Sequence, residues 1–235
     1  MKTIGLIGGL TWLSSLDYYR LLNKLTNDKL GGVEAAKIIL YSVNFAEIKI
    51  LTEEGRWDEI ESLMGEVAKK LEEAGADCIM IGANTMHKIA DGIQQRLSIP
   101  VIHIAEEVGK EIGKKGLSKV ALLGTKYTMQ MDFYKTRLAT QGISTIIPSE
   151  EDIELINTAI YSEMSKGIFR YETKTRFISI INGLVRQGAE GIILGCTEIP
   201  ILISQDDCPV PVFDTTHIHS RAAVNFALAQ PQPVI

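Results

Sequence analysis

Short apolar runs alternate along the chain with longer segments whose apolar residues recur at helical intervals. TIGLIGG (3–9) is an apolar run closed by glycines, the pattern of a buried strand followed by a tight turn. SLDYYRLLNKLTNDKLGG (15–32) has helical spacing and stops at a glycine pair. KIILYSVNF (37–45) predicts a second strand, and Trp57 to Ala74 a helix with Gly75 in the C-cap position. CIMIG (78–82) predicts a third strand, KIADGIQQRL (88–97) a helix and PVIHI (100–104) a fourth strand. The pattern then restarts: VALLGT (120–125) resembles IGLIGG (4–9). Helical patterns follow in MDFYKTRLATQG (131–142), IELINTAIYSEMSKG (153–167) and KTRFISIINGLVRQG (174–188). GIILG (191–195) and VPVFD (210–214) predict strands, and a last helix is expected from about His219 to Leu228.

Strand–helix alternation predicts an α/β fold with parallel sheets covered by helices. The restart predicts two pseudo-symmetric three-layer halves with a site in the cleft between them, because ligands in such sheets bind beyond the carboxyl ends of the strands. The alternative is that the restart reflects generic strand–helix geometry. The sharpest internal match pairs GADCIMIGANT (75–85) with GAEGIILGCTE (188–198). It places Ala83 on Cys196, 113 residues later.

Composition narrows the class. The 235 residues include 46% hydrophobic and 23% charged residues, ordinary for a globular protein able to bury a core. The net charge of −5 argues against general nucleic-acid or anionic-membrane binding. No apolar run reaches the roughly 18 residues that span a bilayer, and the N-terminus lacks signal-peptide features. Three cysteines make no disulfide framework, so a cytoplasmic protein with reduced thiols is expected. The Pro/Gln-rich close AQPQPVI is expected to fray.

Cys196 is the strongest candidate for chemistry. It follows a strand, where backbone N–H groups favour a thiolate. The alternative is a packing cysteine, which suits Cys78 inside its apolar run. Cys208 lies beside Asp206 and Asp207, whose charges disfavour its thiolate. Asn84, Thr85, Thr125, Thr128 and Thr197, with the turn at Gly8, Gly9 and Leu10, offer small donors suited to a carboxylate, although such residues also serve as ordinary caps and turns. Gly5-x-x-Gly8-Gly9 is an incomplete dinucleotide fingerprint, and neither a phosphate loop, a zinc-finger spacing nor a Gly-x-Ser-x-Gly elbow occurs. His87 reads as structural.

IGLIGG (4–9), GANTMH (82–87), LLGTKYT (122–128), GCTEI (195–199) and PVFDTT (211–216), in this order and spacing, resemble the aspartate/glutamate racemase superfamily over essentially the whole chain. The details GGLTW, NTMH and FDTTHIH are most similar to its bacterial aspartate/glutamate-specific or broad-specificity amino-acid racemases. The resemblance implies a cofactor-independent isomerase, without metal, in which two cysteines face the substrate α-carbon from opposite sides. It implies Cys196 as one acid/base. Gly9, Leu10, Asn84, Thr85, Thr125, Thr128 and Thr197 would bind substrate, with the threonines and Asn84 on the α-carboxylate and Glu198 on the ammonium side. It implies a first domain of 1–100 plus 210–235, a second of 101–209, a small amino-acid or dicarboxylate substrate, and a homodimer. The chain departs from the family pattern at Ala83, where a second cysteine is usual, which implies reduced or one-sided activity. It departs again at Ile48 and Ser165, which align with an arginine and a lysine for a side-chain carboxylate; Lys49 and Lys166 lie one residue away. The alternatives are a non-catalytic binder of a small carboxylate or amino acid, and another single-cysteine enzyme of the superfamily.

Overall fold

The Gly-Ala-acid repeat builds the same junction twice. In both copies the glycine ends a helix in the left-handed region, with φ 96° at Gly75 and 94° at Gly188. The following alanine N–H reaches back five residues, Ala76 to the Leu71 carbonyl at 3.0 Å and Ala189 to the Leu184 carbonyl at 3.1 Å. The acid then pins the start of the neighbouring strand. Asp77 Oδ2 accepts from the Thr3 N–H at 2.6 Å. Glu190 Oε2 accepts from the Ser118 and Lys119 N–H groups at 2.8 and 3.0 Å. The two N–H bonds hold the Glu190 carboxyl below the usual carboxylate range.

A computed structural model describes residues 1–229, so the expectation of a frayed end falls on residues that lie almost wholly outside it. The described residues form two units, one comprising residues 1–82, 89–103 and 219–229, the other residues 83–88 and 104–218.

The first unit contains β1 (Ile4–Gly8), α1 (Trp12–Leu30), β2 (Ile38–Ser42), α2 (Phe45–Glu53), α3 (Trp57–Glu73), β3 (Cys78–Ile81) and α4 (Ala90–Gln94). Its parallel sheet has the order β2-β1-β3. Ile4 and Leu6 on alternate positions of β1 pack with Tyr18 and Leu22 of α1. The turn after β1 is closed by contacts that exclude a side chain: a Cβ on Gly9 would fall 2.1 Å from the Val43 carbonyl oxygen.

The second unit contains α5 (Ile104–Lys114), β4 (Lys119–Gly124), α6 (Lys126–Gln130), α7 (Asp132–Ala139), β5 (Ser144–Ile146), α8 (Glu150–Ser162), α9 (Tyr171–Arg186), β6 (Ile192–Gly195), α10 (Ile199–Leu202) and β7 (Val212–Asp214). Its parallel sheet has the order β5-β4-β6-β7. Side chains alternate between two cores. Ala121, Leu123, Ile192 and Leu194 pack with Ile156 of α8 and Phe177 of α9. Val120, Leu122 and Ile193 face the other way, to Val108 of α5 and Tyr134 of α7. Both faces are therefore covered, which explains the unbroken apolar runs. A final helix, α11 (Thr215–Leu228), follows β7 directly.

Several expectations change. PVIHI is not a strand: it contributes one parallel bridge, Ile79 to Val101, and Ile104 already begins α5. Pro100 has no N–H to donate, so pairing there is short. Helices α2 and α5 stand where the pattern predicted none, and α11 starts at Thr215 rather than His219. Residues 210–218, expected in the first domain, lie in the second unit, because β7 pairs with β6 through Ile192–Val212 and Leu194–Asp214. Residues 83–88 lie there too.

The matched junctions predict matched costs. Gly75→Ala and Gly188→Ala should each destabilise the protein by about 1–2 kcal/mol, the cost of a left-handed alanine. Urea unfolding of the two variants checks this, and a neutral effect at either position contradicts the shared geometry.

Candidate functional site

Strands β4 and β6 end side by side, with Gly124 opposite Gly195 in the parallel register. The next residues are Thr125 and Cys196, so register alone sets these two beside each other at the carboxyl edge of the sheet. The approach is close. A Cβ on Gly124 would lie 2.8 Å from the Gly195 carbonyl oxygen, and one on Gly195 would lie 2.8 Å from that of Leu123 and 3.4 Å from the Thr128 methyl. A side chain at either position would push the strand ends apart.

Thr125 caps α6, its hydroxyl accepting from the Thr128 N–H at 3.3 Å. The Thr128 hydroxyl lies 3.2 Å from that of Thr125. The segment after β3 supplies a third: Thr85 Oγ1 lies 2.8 Å from Thr125 Oγ1 and 3.1 Å from Thr128 Oγ1. All three residues are buried. Three hydroxyls thus form a closed triangle in which each proton can rotate from a neighbour toward a ligand oxygen. Asn157 of α8, which sequence reasoning missed, accepts from the Lys126 N–H at 3.0 Å and holds this turn.

Cys196 is partly buried, between Gly195 and Thr197, which are buried. Its thiol donates to Glu198 Oε2 at 2.8 Å, and the Thr197 hydroxyl donates to the same oxygen at 2.7 Å. Burial, followed by the Glu198 charge and hydrogen bond, pushes the thiol well above its ordinary value of 9.0, although the Glu198 and Thr197 N–H groups act the other way. The strand-end amides favour the thiolate as expected, but burial and Glu198 outweigh them. Burial raises the other thiols as well, Cys78 to about 12 and Cys208 to about 11.

Ala83 is partly exposed and ends β3 much as Cys196 ends β6, but carries only a methyl. Its carbonyl lies 2.9 Å from His87 Nδ1, consistent with a structural histidine. Asn84 is buried and donates through Nδ2 to Thr215 Oγ1 at 3.0 Å; Thr215, in turn, donates to the Leu194 carbonyl at 2.9 Å. Thr215 escaped the sequence reading because its helix was started too late.

Gly9 and Leu10 belong to the first unit, where the Gly9 N–H donates to Ser15 Oγ at 2.7 Å. Ile48 is buried in the same unit, and Lys49 is an exposed partner of Glu53. Ser165 donates to the Tyr161 carbonyl at 2.9 Å, and Lys166 is exposed. A separate cavity of about 550 Å³, lined by Thr158, Ser162, Arg170, Thr173 and Arg176 among others, contains none of the predicted site residues. Among the described residues, no group of three His, Cys, Asp or Glu is placed to hold a metal ion, and no helix is long and apolar enough to cross a membrane.

The comparisons with known proteins agree with one another. A family model described as Asp/Glu/Hydantoin racemase matches residues 7–223. The broad specificity amino-acid racemase RacX of Bacillus subtilis is 28% identical over 172 residues, 73% of this chain and 74% of that protein. Among crystal structures, a Yersinia pestis protein with a provisional Asp/Glu racemase name is 44% identical, with a TM-score of 0.92 over 97% of this chain and 100% of the other. PH1733, an aspartate racemase homologue from Pyrococcus horikoshii, is 38% identical, with a TM-score of 0.86 over 97% of this chain and 99% of the other.

The protonation state is directly measurable. With its thiol held above 9, Cys196 is less than about 1% thiolate at pH 7, so alkylation by iodoacetamide should be slow there and rise about tenfold per pH unit through pH 9. Glu198→Gln removes the charge that raises the thiol, so its reactivity should increase at a given pH. A plateau below pH 8 in the unmodified protein, read by peptide mapping, contradicts this electrostatic account.

Proposed function

Because the chain belongs to the Asp/Glu/hydantoin racemase family, we propose that it is a cofactor-independent amino-acid isomerase in which Cys196 exchanges the α-hydrogen of a small α-amino acid of the aspartate/glutamate type. The observation that carries this reading is the thiol–carboxylate contact, Cys196 Sγ to Glu198 Oε2 at 2.8 Å.

A thiol above its ordinary value is a poor base at rest and a competent acid. To abstract a proton it must first lose its own, and Glu198 is the acceptor already in contact. The cycle balances: the thiol proton passes to Glu198, the thiolate removes the α-proton, and the electron pair left on carbon spreads into the α-carboxylate. Return of the proton reverses each step. The growing negative charge on the carboxylate needs donors, and the hydroxyls of Thr85, Thr125 and Thr128 are grouped to supply them by rotating out of their triangle.

With alanine at position 83 there is no thiol at the matching strand end. Exchange on the Cys196 face can proceed; delivery to the opposite face lacks its donor. The reading is therefore of one-sided chemistry, fast isotope exchange into one enantiomer and slow inversion. Ala83 also favours the second reading, a protein that binds a small carboxylate or amino acid without exchange. Assembly as a homodimer, implied by the sequence resemblance, is part of the proposal and is read by analytical ultracentrifugation.

A panel of the common amino acids in deuterated water, both enantiomers separately, tests these readings by α-deuterium incorporation. One enantiomer should exchange at least tenfold faster than it inverts, an expected ratio on the order of that for loss of one positioned acid/base. Cys196→Ser should abolish exchange, Glu198→Gln should slow it despite raising thiol reactivity, and Ala83→Cys should raise inversion. Exchange that survives Cys196→Ser rules out the assigned acid/base. Calorimetric binding without exchange selects the binder instead.

A further inference from the structure

Thr215 has one proton to give. Its hydroxyl lies 2.9 Å from the Leu194 carbonyl, which can only accept, so the proton goes there. The same oxygen lies 3.0 Å from the Asn84 amide and must therefore accept. Only the NH₂ end of an asparagine donates, so Nδ2 is the atom that faces Thr215. The orientation of Asn84 follows from hydrogen-bond polarity, anchored through Thr215 to strand β6 two residues before Cys196.

The consequence lies at the other end of the amide. Asn84 Oδ1 is buried and has no hydrogen-bond partner among the described residues, and Asn84 as a whole is 4% exposed. A buried amide oxygen left unpaired is costly, and such atoms in folded proteins are met by a donor from water or ligand. Asn84 stands between Ala83 and Thr85, whose hydroxyl belongs to the triangle suited to a carboxylate. One residue offers donors and its neighbour an acceptor, which is the polarity of an α-amino acid, carboxylate on one side and ammonium on the other.

We propose that Thr215 is a positioning residue that locks Asn84 with its oxygen toward the ligand, so that position 84 reads the protonated amine rather than the carboxylate. The inference rests on the isomerase reading for its ligand class but not for the orientation of the amide. Asn84, expected from sequence to share the carboxylate, is thereby reassigned to the ammonium side. Thr215 acts only through Asn84. The device discriminates by charge and donor: an α-ammonium can direct one of its three N–H groups at Oδ1, whereas a deaminated dicarboxylate brings none and leaves that oxygen unpaired. Sites that hydrogen-bond a ligand group reject the analogue lacking it, because their own polar atom is then stranded.

The test compares the protein with Thr215→Ser, which keeps the hydroxyl, and Thr215→Val, which keeps the shape and loses it. Calorimetry with D- and L-aspartate and glutamate against succinate and glutarate measures amine preference. The unmodified protein and Thr215→Ser should bind one amino acid at least about tenfold more tightly than its deaminated analogue. Thr215→Val should shrink that ratio to within about threefold, mainly by weakening the amino acid. An unchanged ratio in Thr215→Val, or no amine preference at the outset, overturns the proposal.

A second readout needs no ligand. The Asn84 side-chain NH₂ signal, assigned by its loss in Asn84→Asp, should exchange slowly with solvent in the unmodified protein and Thr215→Ser. In Thr215→Val it should exchange at least about tenfold faster. Equal exchange in all three proteins overturns the anchoring. Slow exchange that depends on the Thr215 hydroxyl, with no amino acid bound or exchanged across the panel, upholds the locked amide and overturns both the isomerase reading and the amine recognition that rests on it.

Discussion

The close approach of Gly124 and Gly195 is the constraint on which the site depends. Both glycines have a backbone oxygen 2.8 Å from where a Cβ would stand. Their absence of side chains lets β4 and β6 run in register to their last residues, and that register carries Thr125 and Cys196 to one edge. Thr128 fills the space above, its methyl against Gly195 and its hydroxyl against Thr85 and Thr125. A methyl at either glycine would widen the strand ends and so disturb the placement of Thr125 and Cys196.

Electrostatics at Cys196 join two demands in one carboxylate. Glu198 raises the thiol by charge and hydrogen bond, and so suppresses the thiolate. It is also the acceptor in contact with the thiol proton. A lone buried thiol would lack both the further rise that Glu198 gives and an acceptor in contact with its proton. Burial and Glu198 together keep the sulfur protonated. Thr197 shares the same carboxylate oxygen, which places it beside Glu198 and not in the hydroxyl triangle.

How far the fold could be read in the chain depended on the range of the forces involved. β1, β3, β4 and β6 were legible because each is a short apolar run bounded by glycine, and burial on both faces writes itself directly into composition. The Gly-Ala-acid junctions were legible for the same reason, since cap, turn and strand start lie within a few residues. PVIHI read as a strand because its composition suits one, yet pairing needs a partner and free N–H groups, and only one bridge formed. Helix α5 was missed because its start overlaps that apolar run, with Ile104 belonging to the helix. The placement of residues 210–218 turned on a long-range pairing, β6 with β7, that no local pattern records.

By itself the sequence determined which residue types stand at which strand ends: a cysteine after β6, an alanine after β3, threonines after β4, and the glycines that precede them. These follow from periodicity and turn chemistry, which act over a few residues. The tertiary structure alone decided what state those groups are in. The Cys196 thiol is protonated rather than ionised because its surroundings are buried and Glu198 is turned toward it. Asn84 turns its NH₂ to Thr215 because a carbonyl on β6, 110 residues further along the chain, claims the threonine's proton. Protonation and hydrogen-bond direction depend on what lies within a few ångströms in space, and residues distant in sequence supply most of it.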